Sequence, residues 1–431
     1  MDITYFNYLA HSQIKKLYEK YIIKELSKQL VTIGVLTFAF TACNKRIPDA
    51  EPILFPQSGT ITVGEAINTD TTYSFFKAAA TRVGAMTALL DSNNSFTLFL
   101  PDNNAFKASG IPSIAVINAL PIASVGGIVN YAIVPGAKYK STDIPTTFPN
   151  FQLPTAITIG QLPGTILPFK LTTFPSRRAA GFWDNNIPVV KPDLEFKNGI
   201  IHVMAAIVAP PSKVLKDALY SNPNLTYFKA AVQRADSGQT GLNRFDSLLN
   251  YAVTNMTVLA PNDAAFQTLI FGLVFKGYLS SRPTPYTATD TAIAFATANG
   301  AVAAGPVFLS TNNVSTATVR GIIAYHLLAS PNPLTSAYEP NIRVFSVNFP
   351  PASAAPFFVK TLVNAAVPVH PGIIVNAIFT GPFVTDLKFI GLGTFPPGGA
   401  PYSGAPATAV SKDNHAVNGV YHVIDKVLLP Q

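Results

Sequence analysis

Side chains able to do chemistry are thinly spread along this chain of 431 residues. Beyond residue 43, histidine occurs at His202, His326, His370, His415 and His422. None stands at the His-x-His or His-Glu-x-x-His spacing that would bring two ring nitrogens to one metal. Calcium would want a regularly spaced acidic loop closed by a glutamate, and Asp102, Asp263 and Asp413 stand isolated. No Gly-x-Ser-x-Gly turn offers a nucleophile, and no glycine-rich loop between strand and helix offers a phosphate cradle. Only 22 residues are Asp or Glu, and nothing nominates two of them as an acid and base pair. The sequence therefore predicts no catalytic residue, no metal and no cofactor, and the chain reads as a non-enzyme.

The single cysteine, Cys43, has a different chemistry in prospect. Lys15, Lys16, Lys20, Lys24 and Lys28 precede an apolar run from Leu30 to Phe40, too short to span a bilayer, which ends in Thr41-Ala42-Cys43. Small residues ahead of a lone cysteine resemble the lipobox of bacterial lipoproteins. On that reading residues 1–42 are a signal peptide, Cys43 becomes the lipidated N-terminus and 43–58 is a linker. The protein is then exported and lipid-anchored in the cell envelope, in the outer membrane, facing periplasm or cell surface. The net charge of +8 is dispersed, with no basic block after residue 43, so nucleic acid is not the expected partner. Mild positive charge suits approach to acidic polysaccharide or membrane surfaces.

The elements that would position any site follow from composition and repetition. With 48% hydrophobic and 12% charged residues the chain can bury ample apolar surface, and its length suits two domains after a leader. Thirty-six prolines and 27 glycines favour short strands and loops. Four blocks recur in order. Phe76-Lys77-Ala78-Ala79 returns at Phe228, offset by 152 residues, and Thr97 to Asp102 with Ala105-Phe106 returns at Thr257 to Asn262 with Ala265-Phe266, offset by 160. A helical block from Val125 to Ala132 returns at Val319 to His326, offset by 194, and Asn198-Gly199-Ile200-Ile201-His202-Val203 returns as Asn418-Gly419-Val420-Tyr421-His422-Val423, offset by 220. The growing offset places insertions in the second copy, expected as loops and including the Ser-, Thr-, Pro- and Ala-rich stretch 278–308. Asp102 or Asn103, and Asn262 in the second copy, are placed to cap short helices after a strand. Val319, Ile322, Ile323 and His326 share one helix face, which puts His326 toward the core and leaves Tyr325 off that stripe, with exposure expected.

This ordered set, present twice, resembles the fasciclin family, whose domains carry a strand-Pro-polar-Ala-Phe block, a mid-domain Tyr-His block and an Asn-Gly-x-x-His-Val end block. The resemblance covers 59–210 and 212–431, with Ser212 to Ser221 as a short join. It implies α+β domains, each a β-wedge of two sheets with helices packed at one side, and a role in adhesion. It also implies that Tyr325 and His326 contact a partner, a role the first copy cannot share because Ala132 follows Tyr131. Trp183, among polar turn residues, is a further candidate contact, able to stack on a sugar or anchor a protein interface. For His202, His326 and His422 a hydrogen-bonded core position is the favoured reading, and Asn198, Gly199, Asn418 and Gly419 read as turns leading into terminal strands. The expected function is recognition of a surface protein or polysaccharide. The alternatives are a carrier of an apolar small molecule and, less favoured, an envelope polysaccharide enzyme.

Overall fold

The computed structural model describes residues 59–310, 314–353, 355–394 and 399–431. The chain separates into two units, Met1–Gln57 and Ser58–Gln431. The leader, Cys43 and the linker lie outside the described residues.

The first repeat opens with three helices, α1 (Val63–Thr69), α2 (Ser74–Arg82) and α3 (Met86–Leu90). Strand β1 (Phe96–Pro101) follows, then helices α4 (Asn103–Ala108), α5 (Ile114–Ala119) and α6 (Ile122–Tyr131). Seven strands complete it: β2 (Ile133–Pro135), β3 (Leu153–Gln161), β4 (Pro168–Thr173), β5 (Pro175–Arg178), β6 (Gly181–Asp184), β7 (Ile187–Phe196) and β8 (Gly199–Met204). The second repeat begins with α7 (Leu215–Tyr220), α8 (Thr226–Ala235), α9 (Phe245–Asn250) and β9 (Met256–Pro261). Then come α10 (Asp263–Ser280), α11 (Ala288–Ala303), α12 (Val307–Ser310), α13 (Thr316–Tyr325), the short strands β10 (Ser330–Pro331), β11 (Tyr338–Glu339) and β12 (Phe357–Val359), and α14 (Val363–Ala366). It closes with β13 (Ile373–Thr380), β14 (Phe383–Ile390), β15 (Ala407–Ala416) and β16 (Gly419–Ile424).

The architecture is α+β. Each repeat holds a six-stranded sheet, ordered β2-β1-β8-β7-β6-β5 in the first and β12-β13-β14-β15-β16-β9 in the second. All pairings are antiparallel except one per sheet: β8 lies parallel to β1 and β16 parallel to β9. The run Phe96 to Pro101 is buried at every position because helices cover one face of the strand while the rest of the wedge covers the other. On the helix side Val63, Phe76, Leu89, Phe106 and Val129 pack against Leu98 and Ile201. Phe228, Phe245, Phe266 and Ile323 do the same against Val258 in the second repeat. As the sequence predicts, Asp102 and Asn262 cap the helices after the strand, accepting from the Ala105 and Ala265 amides at 2.8 Å in both cases.

The parallel pair is held by one asparagine in each repeat. Asn198 Oδ1 accepts from the Val63 amide at 2.8 Å, while its Nδ2 donates to the carbonyls of Leu89 and Asp91. Asn418 repeats this with the Leu215 amide at 2.7 Å and the carbonyls of Leu249 and Tyr251. One side chain thus satisfies orphan groups at the start of the first helix and the end of the third. The stretch 212–221, expected as a join, contains the first helix of the second repeat, Leu215–Tyr220. The following glycine is required by close approach: a Cβ on Gly199 would lie 2.8 Å from the Phe96 carbonyl oxygen, and one on Gly419 would collide with the Met256 carbonyl and Leu215.

The expectation of loop insertions is corrected by the structure. Residues 278–308 are largely helical, as α10 runs on to Ser280 and α11 occupies Ala288–Ala303. Alanines at many positions of α11 favour helix, and Thr287 with Asp290 forms a capping box at its start.

Removing the Asn418 side chain strands one amide and two carbonyls, each costing about 1–3 kcal/mol when buried. Asn418→Ala is expected to lower unfolding stability in urea by at least about 3 kcal/mol, and Asn418→Asp, which keeps the acceptor, by less. Equal stability of Asn418→Ala and the parent would contradict the assignment.

Candidate functional site

Tyr325 and His326 sit where α13 meets the sheet. Tyr325 is fully buried, donates to the Gly372 carbonyl at 2.6 Å and accepts from the Leu392 amide at 3.0 Å. This corrects the expectation of exposure. The side chain leaves the apolar stripe of α13, but the chain around Gly372 and Leu392 covers that flank as well. Its counterpart Tyr131 is equally buried, donating to the Thr172 carbonyl at 2.9 Å. Burial raises the hydroxyl of both above the ordinary tyrosine range.

His326 is also completely buried, with Nδ1 at 2.7 Å from the Ile322 carbonyl and Nε2 accepting from the Leu428 amide at 3.0 Å. These partners require a neutral ring with the proton on Nδ1. Burial pushes its pKa down to about 4. The pair therefore ties the end of α13 to the sheet and to the C-terminal segment, and neither residue presents a surface to a partner. Ala132 occupies the matching place in the first repeat, so the tie from His326 to Leu428 has no counterpart in that side chain.

His202 and His422 stand in matching polar locks. Nδ1 of His202 accepts from the Asp193 amide at 3.2 Å and Nε2 faces the Tyr139 carbonyl at 2.9 Å. For His422 the partners are the Asp413 amide at 3.2 Å and the Val344 carbonyl at 3.1 Å. Asp193 and Asp413 have positive φ, 59° and 60°, and their carboxylates accept from the backbone and hydroxyl of Ser141 and Ser346 respectively. Ser, Asp and His are thus brought together without a catalytic orientation. The histidine nitrogen that would have to face a base-activated hydroxyl is spent on a backbone amide, and the serine donates to aspartate instead. Burial lowers the pKa of both histidines. The sequence carried this lock unnoticed: Asp413 follows Asp193 by the same 220 residues as the end block, and Ser346 follows Ser141 by 205.

Trp183 is fully buried, so its ring packs down into the fold rather than offering the surface contact for which it was a candidate. Its Nε1 donates to the Pro382 carbonyl of the second repeat at 2.9 Å, and its ring lies 6.5 Å from Phe379. It belongs to a seam between the repeats. In that seam Asn150 Nδ2 donates to the Arg343 carbonyl at 2.8 Å and to Asn348 Oδ1 at 2.7 Å, while Asn348 Nδ2 donates to Ser176 at 2.7 Å. Arg343 lies 4.3 Å over the Phe174 ring and donates to His415 Nε2 and the Val417 carbonyl. Burial lowers the Arg343 pKa to about 9, and burial together with that guanidinium holds His415 well below the usual histidine value. Asp184, accepting from Thr173 on both oxygens, is raised to about 7 by burial.

Surface chemistry is left to other residues. Ile166 and Leu167, 89% and 57% exposed, form the turn between β3 and β4. Phe383, at the start of β14, and Leu273 and Phe295, on α10 and α11, are also exposed. An apolar groove of about 370 Å³ lies between α8, α10, α12 and α13. Among the described residues no three His, Cys, Asp or Glu side chains are grouped to hold a metal ion, and no helix is long and apolar enough to cross a membrane.

Residues 71–210 match the family model described as the Fasciclin domain. Such domains are adhesion and binding modules. A solved FAS1 domain pair from the insect cell adhesion molecule Fasciclin I is similar to this chain at 16% identity, covering 83% of this chain and 96% of that one, with a TM-score of 0.31. No curated protein matches the sequence.

His326 sets a testable acid sensitivity. Its folded pKa of about 4 lies below the roughly 6.5 of free imidazole, so the unfolded chain takes up a proton that the folded chain refuses. Its contribution is complete above about pH 6.5 and is lost as pH falls toward 4, on the order of 3 kcal/mol across that window. Urea unfolding measured from pH 6.5 to 4.5 should show a slope shallower by about one proton in His326→Ala than in the parent. Parallel slopes would contradict the buried neutral ring.

Proposed function

We propose that this chain is a cell-envelope adhesion or recognition protein, exported and held to the outer membrane through a lipid on Cys43, that binds a surface protein or polysaccharide and performs no catalysis. The observation that carries this reading is the fasciclin domain at residues 71–210. Burial of Tyr325, His326 and Trp183 supports it in a modified form, because recognition must then use exposed turns rather than the Tyr-His pair. The Ile166-Leu167 turn suits such a contact: it projects two apolar side chains from a two-stranded ribbon, flanked by Pro163 and Pro168, which restrict its backbone. The absence of a catalytic orientation in the two Ser-Asp-His locks favours binding over turnover.

The test is binding of the full chain to immobilised glycans and envelope surface proteins, compared with the double variant Ile166→Asp/Leu167→Asp. Saturable binding weakened by about tenfold or more in the variant, with its unfolding transition unchanged, is the expected outcome, as for removal of a central apolar anchor. Saturable binding that the variant leaves unchanged would move the contact away from this turn. Failure to bind any member of the panel, or turnover of a glycan, would contradict the proposed role.

A further inference from the structure

The groove between α8, α10, α12 and α13 has an origin in the sequence. In the first repeat α4 stops at Ala108 and the chain turns back at Gly110, so that Ile111 packs on the core. In the second repeat α10 continues to Ser280 and raises a wall beyond the core. Phe266, Ile270 and Leu273 line that wall, with Phe308 of α12 and Val319 and Ile322 of α13 facing them. Leu273 at the rim is 46% exposed. A groove of this make leaves apolar surface in contact with water, which is unfavourable until something covers it.

Size and polarity restrict what that is. The volume of about 370 Å³ falls in the range of small-molecule pockets, roughly 300–1,000 Å³. Polar lining side chains gather at one end, where Ser315 and Thr318 open α13. At this end Arg234 of α8, half-buried, bonds the Val314 carbonyl through Nε and Nη2 at 3.3 and 2.9 Å. No carboxylate pairs with Arg234 among the described residues. The cation thus stands beside the polar mouth of an otherwise apolar groove.

We propose that this groove binds a single-chain anionic amphiphile of the fatty-acid class, with the hydrocarbon chain between α10 and α13 and the carboxylate at the Arg234, Ser315 and Thr318 end. The site is independent of the adhesive surface, and the first repeat has no equivalent of the long α10 that walls it.

The experiment titrates the full chain with palmitate and with methyl palmitate below their aggregation concentrations, following displacement of a fluorescent polyene fatty acid. Saturable binding of one palmitate per chain is expected. Leu273→Glu, at an exposed rim position that the fold tolerates, should weaken both ligands by about tenfold or more by putting charge against the hydrocarbon. Arg234→Gln should weaken palmitate by about tenfold, as for loss of a charge-assisted bond, and leave the ester unchanged, with Arg234→Lys restoring most of the loss. Absence of saturable binding would overturn the proposal, as would a Leu273→Glu protein that binds like the parent. An Arg234→Gln effect equal for acid and ester would overturn the placement of the head group.

Discussion

The fold rests on the entry of each repeat's last strand beside the strand that precedes its central helices. A parallel neighbour cannot be reached by a tight turn, so β8 and β16 arrive only after a long excursion through the rest of their repeat. Nothing local fixes where such a strand docks. Asn198 and Asn418 supply that fixing, each holding the start of the repeat's first helix and the end of its third, and the glycine that follows lets the strand come within contact of β1 or β9. The last strand is thereby set, by one amide group, against two segments that each lie more than a hundred residues before it in sequence. The histidine three residues after the glycine extends the same function across the sheet, bonding the Asp193 or Asp413 amide and so holding the bulged strand beside it.

Because the tie points are interior, function is displaced to what the tie points leave outside. The Tyr-His pair, which resemblance marks as a contact, is consumed in joining α13 to the sheet and the C-terminal segment. Trp183 is consumed in the seam, with its polar edge on Pro382. That seam is unusual in burying the Arg343 guanidinium on neutral acceptors and an aromatic face rather than a carboxylate. A cation so placed is costly to bury and tolerates little rearrangement around it. Turns and insertion helices can vary without disturbing these ties, and the groove along α10 is a case where such variation has built a cavity.

Much of this was legible in the sequence. The four recurring blocks gave the repeat order, the capping residues Asp102 and Asn262 marked strand-to-helix turns, and the spacing of Val319, Ile322, Ile323 and His326 gave a helix face. Other parts were not legible, for physical reasons. A helical wheel separates core from solvent only where solvent covers the far side, and at Tyr325 the chain near Gly372 and Leu392 covers it instead. The stretch 278–308 carries helix-forming alanines but a weak apolar period, since α11 buries little beyond Ala294 and Ala298, so periodicity gave no signal. The seam partners Asn150, Arg343 and Trp183 meet across about two hundred residues and leave no local pattern. The Ser-Asp lock was within reach, at the offset of the end block for Asp193 and Asp413.

The measurement that bears most directly on this account is native-state hydrogen exchange at the amides of Val63, Leu215 and Leu428, which accept no role in regular helix or sheet ladders and are held by Asn198, Asn418 and His326. If these side chains are the interior ties described, the three amides exchange only through global unfolding, at the rate of the core strands β1 and β9. Exchange as fast as that of the exposed turn at Ile166 and Leu167 would show that the motif residues do not hold the fold, and would return the Tyr-His pair to candidacy as a contact surface.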